Sequence, residues 1–312
     1  MRLALAGDTM LGRTVAEATR AQGPEALVTD DVVAAAHEGD LFLLNLECCI
    51  SERGERRPVP GKPFFFRAPP EAVALLERLG VDCVTLANNH ALDYGAEALL
   101  DTLAHLDAAG IAHVGAGADV EAARAPALFE ADGLRLAVFG CCDHAADYAA
   151  GRGTPGIAHG LDWVPDAIAT AAADAVLVTP HWGPNMAAAP LPRIRRAAAD
   201  LRRAGATLVA GHSAHVFHGV ADGALYDLGD FLDDYAVDPE LRNDLGLLFF
   251  VDLDRDGPAR LEAVPLTLEF CRTRLAQGQD AAWIRDRFAA ACRALGTEVR
   301  SEGDRLLVEL RP

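Results

Sequence analysis

An α/β architecture, with a largely parallel or mixed sheet covered by helices, follows from three features of this sequence. Short apolar runs of strand length alternate with amphipathic helical stretches through the first two thirds of the chain. The clearest helical stretches each end near a glycine, the usual helix stop. After about residue 223 the rhythm turns strand-rich, which calls for a second sheet or a closing β-layer.

The strands are read at residues 3–6, 41–44, 83–87, 134–139, 176–179 and 207–210. Helices are read at 71–79, apolar at Val73, Leu75, Leu76 and Leu79, at 96–108 and at 193–204, with Gly80, Gly110 and Gly205 at their ends. The last third gives strands at 224–228, 247–253 and 261–266, a helix at 281–295 and a final strand at 305–310. Residues 54–70 and 143–165 are the longest irregular stretches, and loops of that length are often lids or binding loops. No internal repeat and no low-complexity tract interrupts this order.

With 312 residues and 51% hydrophobic content, the chain can bury one large core or a core with a modest appendage. The expected division is a main domain over 1–270 and a helix–strand extension over 271–312 packed on the same domain. A net charge of -18 opposes binding to nucleic-acid backbone or to an anionic membrane surface, since both demand clustered cations. Only Lys62 among the 28 basic residues is a lysine. No stretch reaches the roughly 20 apolar residues of a membrane span, and no leader-like segment precedes the first strand. The expectation is a cytoplasmic protein acting on a small-molecule or peptide substrate, with its oligomeric state open. Seven cysteines, two pairs of them vicinal (Cys48-Cys49 and Cys141-Cys142), suit neither a disulfide framework nor a zinc knuckle. They read as small buried residues in a reducing compartment.

Polar residues of metal-ligand type fall at the same end of successive strands. The first strand runs into Gly7-Asp8, the second into Asn45-Leu46-Glu47, the third into Asn88-Asn89-His90. The series continues with Asp143-His144, His181-Trp182-Gly183 and Gly211-His212-Ser213-Ala214-His215. Ligands of an open α/β sheet bind outside the carboxyl ends of its strands, so these segments converge on one site. Each residue alone has a bland reading: Asp8 as a helix cap, the asparagines as turn formers, any one histidine as an ordinary side chain. Their joint placement favours a metal. Carboxylates, amide and imidazole without thiolate suit Mn, Fe or Zn better than a calcium site, and six or more ligands exceed what one tetrahedral ion uses.

These same residues carry a family resemblance. Gly7-Asp8-Thr9-Met10-Leu11-Gly12-Arg13, Asn45-Leu46-Glu47, the run from Ala87 through Asn88-Asn89-His90-Ala91-Leu92-Asp93-Tyr94 to Gly95, His181-Trp182-Gly183, and Gly211-His212 followed by His215-Val216 resemble the capsule-synthesis, CapA-type (poly-γ-glutamate) branch of the calcineurin-like metallophosphoesterases. The resemblance covers about residues 2–235. It implies a four-layered α/β/β/α sandwich with mixed sheets and a dinuclear metal centre at the sheet edge. By motif, Asp8 and His215 would bind one ion, Asn89, His181 and His212 the other, and Glu47 would bridge them, while His90 would be the proton donor. Asp93, three residues on, either orients that imidazole or caps the following helix.

Two departures from the pattern stand out. The general phosphoesterase pattern has a histidine two residues after the first Asp, where this chain has Met10, so Asn45 or a water would fill that position. The CapA-type Leu-Gly-Asn-Phe run reads Leu228-Gly229-Asp230-Phe231 here, adding negative charge near the metals. Asn45, Asn88, Arg13, Lys62, Arg67 and His144 are the candidate substrate contacts. Metal-dependent hydrolysis of a phosphoester is the first functional expectation. Amide or γ-glutamyl chemistry and a non-catalytic accessory role in polymer assembly are its alternatives. Residues 252–257 match the opening of an EF-hand loop, but Ala263 stands at position twelve, and a hairpin turn is expected there instead. Gly115-Ala116-Gly117 lacks the third glycine of a dinucleotide fingerprint.

Overall fold

Strand Arg2–Thr9 alternates side chains between two apolar environments, and that alternation sets the layering of the whole molecule. In the computed structural model, which describes residues 1–311, Leu3 and Leu5 enter one hydrophobic cluster while Ala4 and Ala6 enter another. Leu41 and Leu43 of the neighbouring strand Leu41–Leu46 join the first cluster, Phe42 and Leu44 the second. A strand with both faces apolar must be covered on both, so it takes a central place in a sheet.

The larger, ten-stranded sheet runs from Ala112–Val114 through Cys83–Thr85 and Leu41–Leu46 to Arg2–Thr9, all parallel. It continues with antiparallel strands Leu245–Asp254, Gly257–Glu269, Arg305–Glu309 and Arg300–Glu302. The second sheet has six strands, with Ala175–His181 between Leu134–Cys142 and Leu208–Ala210, all three parallel. Here too alternation assigns the faces: Leu136, Val138 and Leu177 face the inter-sheet cluster, whereas Ala137, Phe139, Val176 and Val178 face outward.

Helices close both outer faces. Arg13–Gln22, Asp30–Ala36, Val73–Leu79 and Gly95–Ala108 bury Val15, Val32, Leu75, Leu76, Leu79, Leu99 and Leu106 against the larger sheet. Val164–Thr170 and Pro192–Arg203 bury Ile168, Ile194, Ala198 and Leu201 against the smaller one. The result is an α/β/β/α sandwich with two mixed sheets. Each large aliphatic or aromatic side chain fully buried in these layers contributes roughly 1.5–3 kcal/mol. Helix Gly278–Arg293 adds Ile284, Phe288 and Cys292 to the inter-sheet cluster.

Several boundaries differ from the periodicity reading. Two strands extend further, to Cys142 and His181, carrying site residues into the regular ladder. The third stops at Thr85, leaving residues 86–94 outside the ladder, with 89–94 as turns. Strand Ala127–Ala131 lies at a sheet edge with partly exposed residues, which weakens its apolar signal. Residues 252–257 hold a hairpin, with 255–256 as the turn between Leu245–Asp254 and Gly257–Glu269. All seven cysteines are buried and unpaired. Among the described residues no helix is long and apolar enough to cross a membrane.

Candidate metal centre

The parallel ladders bring the strand ends to one edge. Asp8 sits opposite Asn45 and, on its other flank, opposite Asp230 of the short strand Asp230–Leu232. From the second sheet His181 bridges to His212 through the backbone, the His212 N–H donating to Pro180. Asp8, Asn45, Glu47, His181, His212 and His215 are all buried. One ligand atom each from Asp8, Glu47 and His181 lies within 4.8 Å of the others, and the same holds for Asp8, His215 and Asp230. Asp8 is common to both groups.

Inside the cluster the Asn45 amide donates to Asp8 Oδ1 (2.8 Å) and to Glu47 Oε2 (3.2 Å). His215 Nδ1 lies 3.3 Å from Asp8 Oδ2 and 2.8 Å from Asp230 Oδ1. Burial would raise the Asp8 carboxyl, but hydrogen bonds with His212 and His215 outweigh it and hold the group well below the usual range. Glu47 goes the other way, pushed well up by burial and then by the charge of Asp8. Burial would lower His215, but Asp230 and Asp8 keep it well above an ordinary imidazole, while burial drives His181 well below.

Ligand-type atoms here are buried without a hydrogen-bond partner: Glu47 Oε1 and Asp230 Oδ2 in the cluster, and Asn89 Oδ1 next to His90. Native proteins leave few buried polar atoms unsatisfied, because each costs about 1–3 kcal/mol. A divalent cation would accept these lone pairs and offset the crowded carboxylates, so this set of oxygen and imidazole donors could hold such an ion.

The loop carrying His212 and His215 is held in a costly shape. Ser213 has φ +108° and His215 φ +59°, conformations that L residues rarely adopt and that cost roughly 1–3 kcal/mol each. Two bonds fix it: the Ser213 N–H donates to Asp8 Oδ2 (3.2 Å) and the Ala214 N–H to Asp227 Oδ2 (2.8 Å).

Beside the cluster, His90 points its Nε2 towards Glu47 Oε1 at 3.8 Å. Its Nδ1 meets Asp93 Oδ2 at 2.6 Å, and the ring lies edge-on to Phe66. Of the two readings of Asp93, orientation of the imidazole is the one observed, since the helix beginning at Gly95 has no side-chain cap from it. Asp93 also accepts from the Phe66 N–H (2.7 Å), Tyr148 Oη (3.0 Å) and Lys62 Nζ (2.5 Å).

Next to His90 opens a pocket of about 220 Å³ lined in part by Lys62, Phe64, Asn89, His144, Tyr148 and Tyr235. Six sequence-level candidates for substrate contact fall out unevenly around it. His144 lines the pocket, its Nδ1 held by Asp143 at 2.8 Å and its ring 5.1 Å from that of His181. Lys62 reaches the pocket, but its ammonium is engaged by Asp93 and by the carbonyl of Asn89. Arg13 packs over Phe64 and pairs with Asp234 at 3.3 Å.

The other three require correction. Arg67 turns away, donating to the Arg53 and Gly54 carbonyls and stacking on Tyr94, so it braces the loop instead of facing substrate. Asn88 is fully buried, its amide bonded to Asn45 and Leu46 and its carbonyl to the His90 N–H, which makes it scaffold. Asn45 is likewise enclosed between Asp8 and Glu47. Met10 is buried in the apolar cluster beneath the larger sheet. Sequence reasoning missed Asp227, Tyr148 and Tyr235 as neighbours of the site, and Asp230 as a full member of the cluster. Only Asp230 carried a signal, as the departure from asparagine noted above.

The chain is thus a two-sheet α/β/β/α sandwich with a buried carboxylate–imidazole cluster at its strand ends. The family model described as bacterial capsule synthesis protein PGA_cap matches residues 2–235, and the chain belongs to that family. A probable polyglutamine synthesis accessory protein of Mycobacterium tuberculosis H37Rv is 33% identical over 294 residues, covering 86% of this chain and 76% of that one. The PGA biosynthesis protein CapA of Bacillus subtilis is 27% identical over 274 residues, covering 84% and 70%. Among solved structures, a calcineurin-like phosphoesterase from Bacillus subtilis overlaps with 12% identity and TM-score 0.45, covering 89% and 88% of the two chains.

Proposed function

We propose that this protein is a metal-dependent hydrolase that holds two divalent cations and cleaves a phosphoester of a small soluble substrate. The observation that carries the reading is the run of unpartnered buried ligand atoms, among them Glu47 Oε1 and Asn89 Oδ1, next to a pocket lined by His90. Asp8, Glu47, Asn89, His181, His212 and His215 would hold the cations, which supply Lewis-acid activation of water and of a substrate oxygen.

The chain's own residues account for the proton. With its Nδ1–H given to Asp93, His90 keeps Nε2 free on the side of Glu47 and the pocket. Burial, working against the pull of Asp93, pushes the imidazole down to about 4, so it is neutral at pH 7 in the free protein. An anionic phosphoryl group entering the pocket favours the imidazolium, which then donates from Nε2 to the leaving oxygen. General acids in such positions contribute about a hundredfold to ten-thousandfold. Phe64, Phe66 and Tyr235 form an aromatic wall that shields this end of the pocket.

A second reading has its own support. The curated relatives are named for polyglutamine synthesis, PGA biosynthesis and capsule biosynthesis, which favours a γ-glutamyl amide as substrate for the same centre. Metal analysis of the purified protein, followed by a screen of phosphomonoesters, phosphodiesters and γ-linked glutamyl peptides, separates the two. Phosphate release that disappears in His90→Ala supports the first. Amine release without phosphate release replaces it with the second, and retained metal with no turnover on any substrate leaves the accessory role.

A further inference from the structure

The general phosphoesterase pattern, unlike this chain, has a histidine two residues after the first Asp, and here that position is Met10. Its side chain is fully buried among apolar neighbours and offers the site nothing. Another residue lies where a ligand is needed. We propose that Asp230 is a ligand of the cation held by Asp8 and His215, replacing the missing imidazole with a carboxylate. The inference rests on the reading of a divalent-cation centre given above.

Placement comes first. Strand Asp230–Leu232 pairs in parallel with the end of the first strand, in register Asp8↔Asp230, so the two carboxylates leave the sheet side by side. One ligand atom from each of Asp8, His215 and Asp230 falls within 4.8 Å of the others. Ligands on opposite sides of an ion with bonds of about 2.1 Å are roughly 4 Å apart, and the trio lies in that range.

The free valence of the side chain points the same way. Asp230 Oδ1 meets His215 Nδ1 at 2.8 Å, whereas Oδ2 is buried and has no partner, in a residue only 1% exposed. A residue whose sole task was to orient His215 would need one acceptor, and the asparagine of the family pattern would serve without adding charge. The carboxylate adds charge in a place already crowded with it. Asp8, Asp233 and Asp234 are buried nearby in sequence or register, and Asp233 Oδ2 and Asp234 Oδ1 also lack partners. The positive partners here are the His215 ring beside Asp230 and the Arg13 guanidinium beside Asp234, and a divalent cation would offset the remaining carboxylates.

The test uses the full chain, stripped with EDTA and titrated with MnCl₂ by calorimetry and Mn(II) EPR, alongside Asp230→Asn and Asp230→Ala. The wild type is expected to bind Mn²⁺ and each variant to lose one equivalent or at least about tenfold in affinity. Thermal melts separate a ligand from a structural bond. Without metal, Asp230→Asn should melt at or above the wild type because a buried charge is gone, while the Mn²⁺-induced rise in Tm shrinks. Asp230→Asn carries the comparison should Asp230→Ala fold poorly. Unchanged Mn²⁺ affinity in both variants overturns the assignment of Asp230 and leaves the metal-centre reading standing. A wild type that binds no Mn²⁺, Zn²⁺ or Fe²⁺ overturns both.

Discussion

His90 Nδ1 and Asp93 Oδ2 lie 2.6 Å apart within one turn, immediately before the helix that starts at Gly95. The pair fixes the tautomer of the imidazole and therefore which nitrogen faces the cluster. Asp93→Asn keeps the shape but can present its amide to Nδ1, favouring the opposite tautomer. Against the substrate found by the screen, kcat should fall about tenfold to a hundredfold in Asp93→Asn, and at least a hundredfold in His90→Ala. Metal content should stay at the wild-type level in both. A loss of bound metal in His90→Ala would instead make His90 a ligand.

Lys62 ties the segment 54–70 to the same carboxylate. Its ammonium bonds Asp93 and the Asn89 carbonyl and sits 3.3 Å from Tyr148 Oη. Burial lowers its pKa, and Asp93 opposes that shift. Lys62→Met removes these bonds while keeping most of the apolar stem. Trypsin cleavage after Arg56 should then accelerate by roughly tenfold, since local opening governs proteolysis of such a loop. Equal cleavage rates in the two proteins would show that the aromatic contacts of Phe64 and Phe66 hold the segment unaided.

The sheet-end series from Asp8 to His215 was legible in the sequence because strands announce themselves by apolar runs and polar ligands interrupt those runs at a fixed place. The same logic failed for Asp230 and Asp227. The strand of Asp230 is only three residues long, so no periodicity marks it, and it owes its place to pairing with Asp8, more than 200 positions away, whereas Asp227 is tied locally to the Ala214 and Gly229 N–H groups. Arg67 and Asn88 went astray for a related reason. A charge or amide near a motif reads as a substrate contact until its partners are known, and here those partners are backbone carbonyls and neighbouring amides. Lys62 shows the intermediate case, a residue in the right loop whose charge is already committed.

The extension over 271–312 is expected to belong to the main folding unit. Phe288 is fully buried in the inter-sheet cluster and lies 5.9 Å, ring to ring, from Phe249 and 6.3 Å from Phe217. Phe288→Ala removes that ring from between the sheets and should cost about 3–5 kcal/mol in urea unfolding. A single cooperative transition shifted to lower urea would support one unit. Two separate transitions, only one of them shifted, would make the extension an independent appendage.

His218 gives stability a pH dependence that can be isolated. It is buried, its Nε2 donates to the Ala187 carbonyl at 2.7 Å, and burial lowers its pKa from 6.5 to about 4. Between those values the unfolded chain takes up a proton that the folded chain refuses. The stabilising contribution is therefore fully present above about pH 6.5 and is lost as the pH falls towards 4, by at most about 3 kcal/mol. His218→Gln retains an N–H for the Ala187 carbonyl but does not titrate. Urea unfolding at pH 7.5 and pH 4.5 should show a smaller loss of stability on acidification in the variant than in the wild type. Identical losses would mean that His218 is protonated in the folded protein, with its ring turned out of the Ala187 bond.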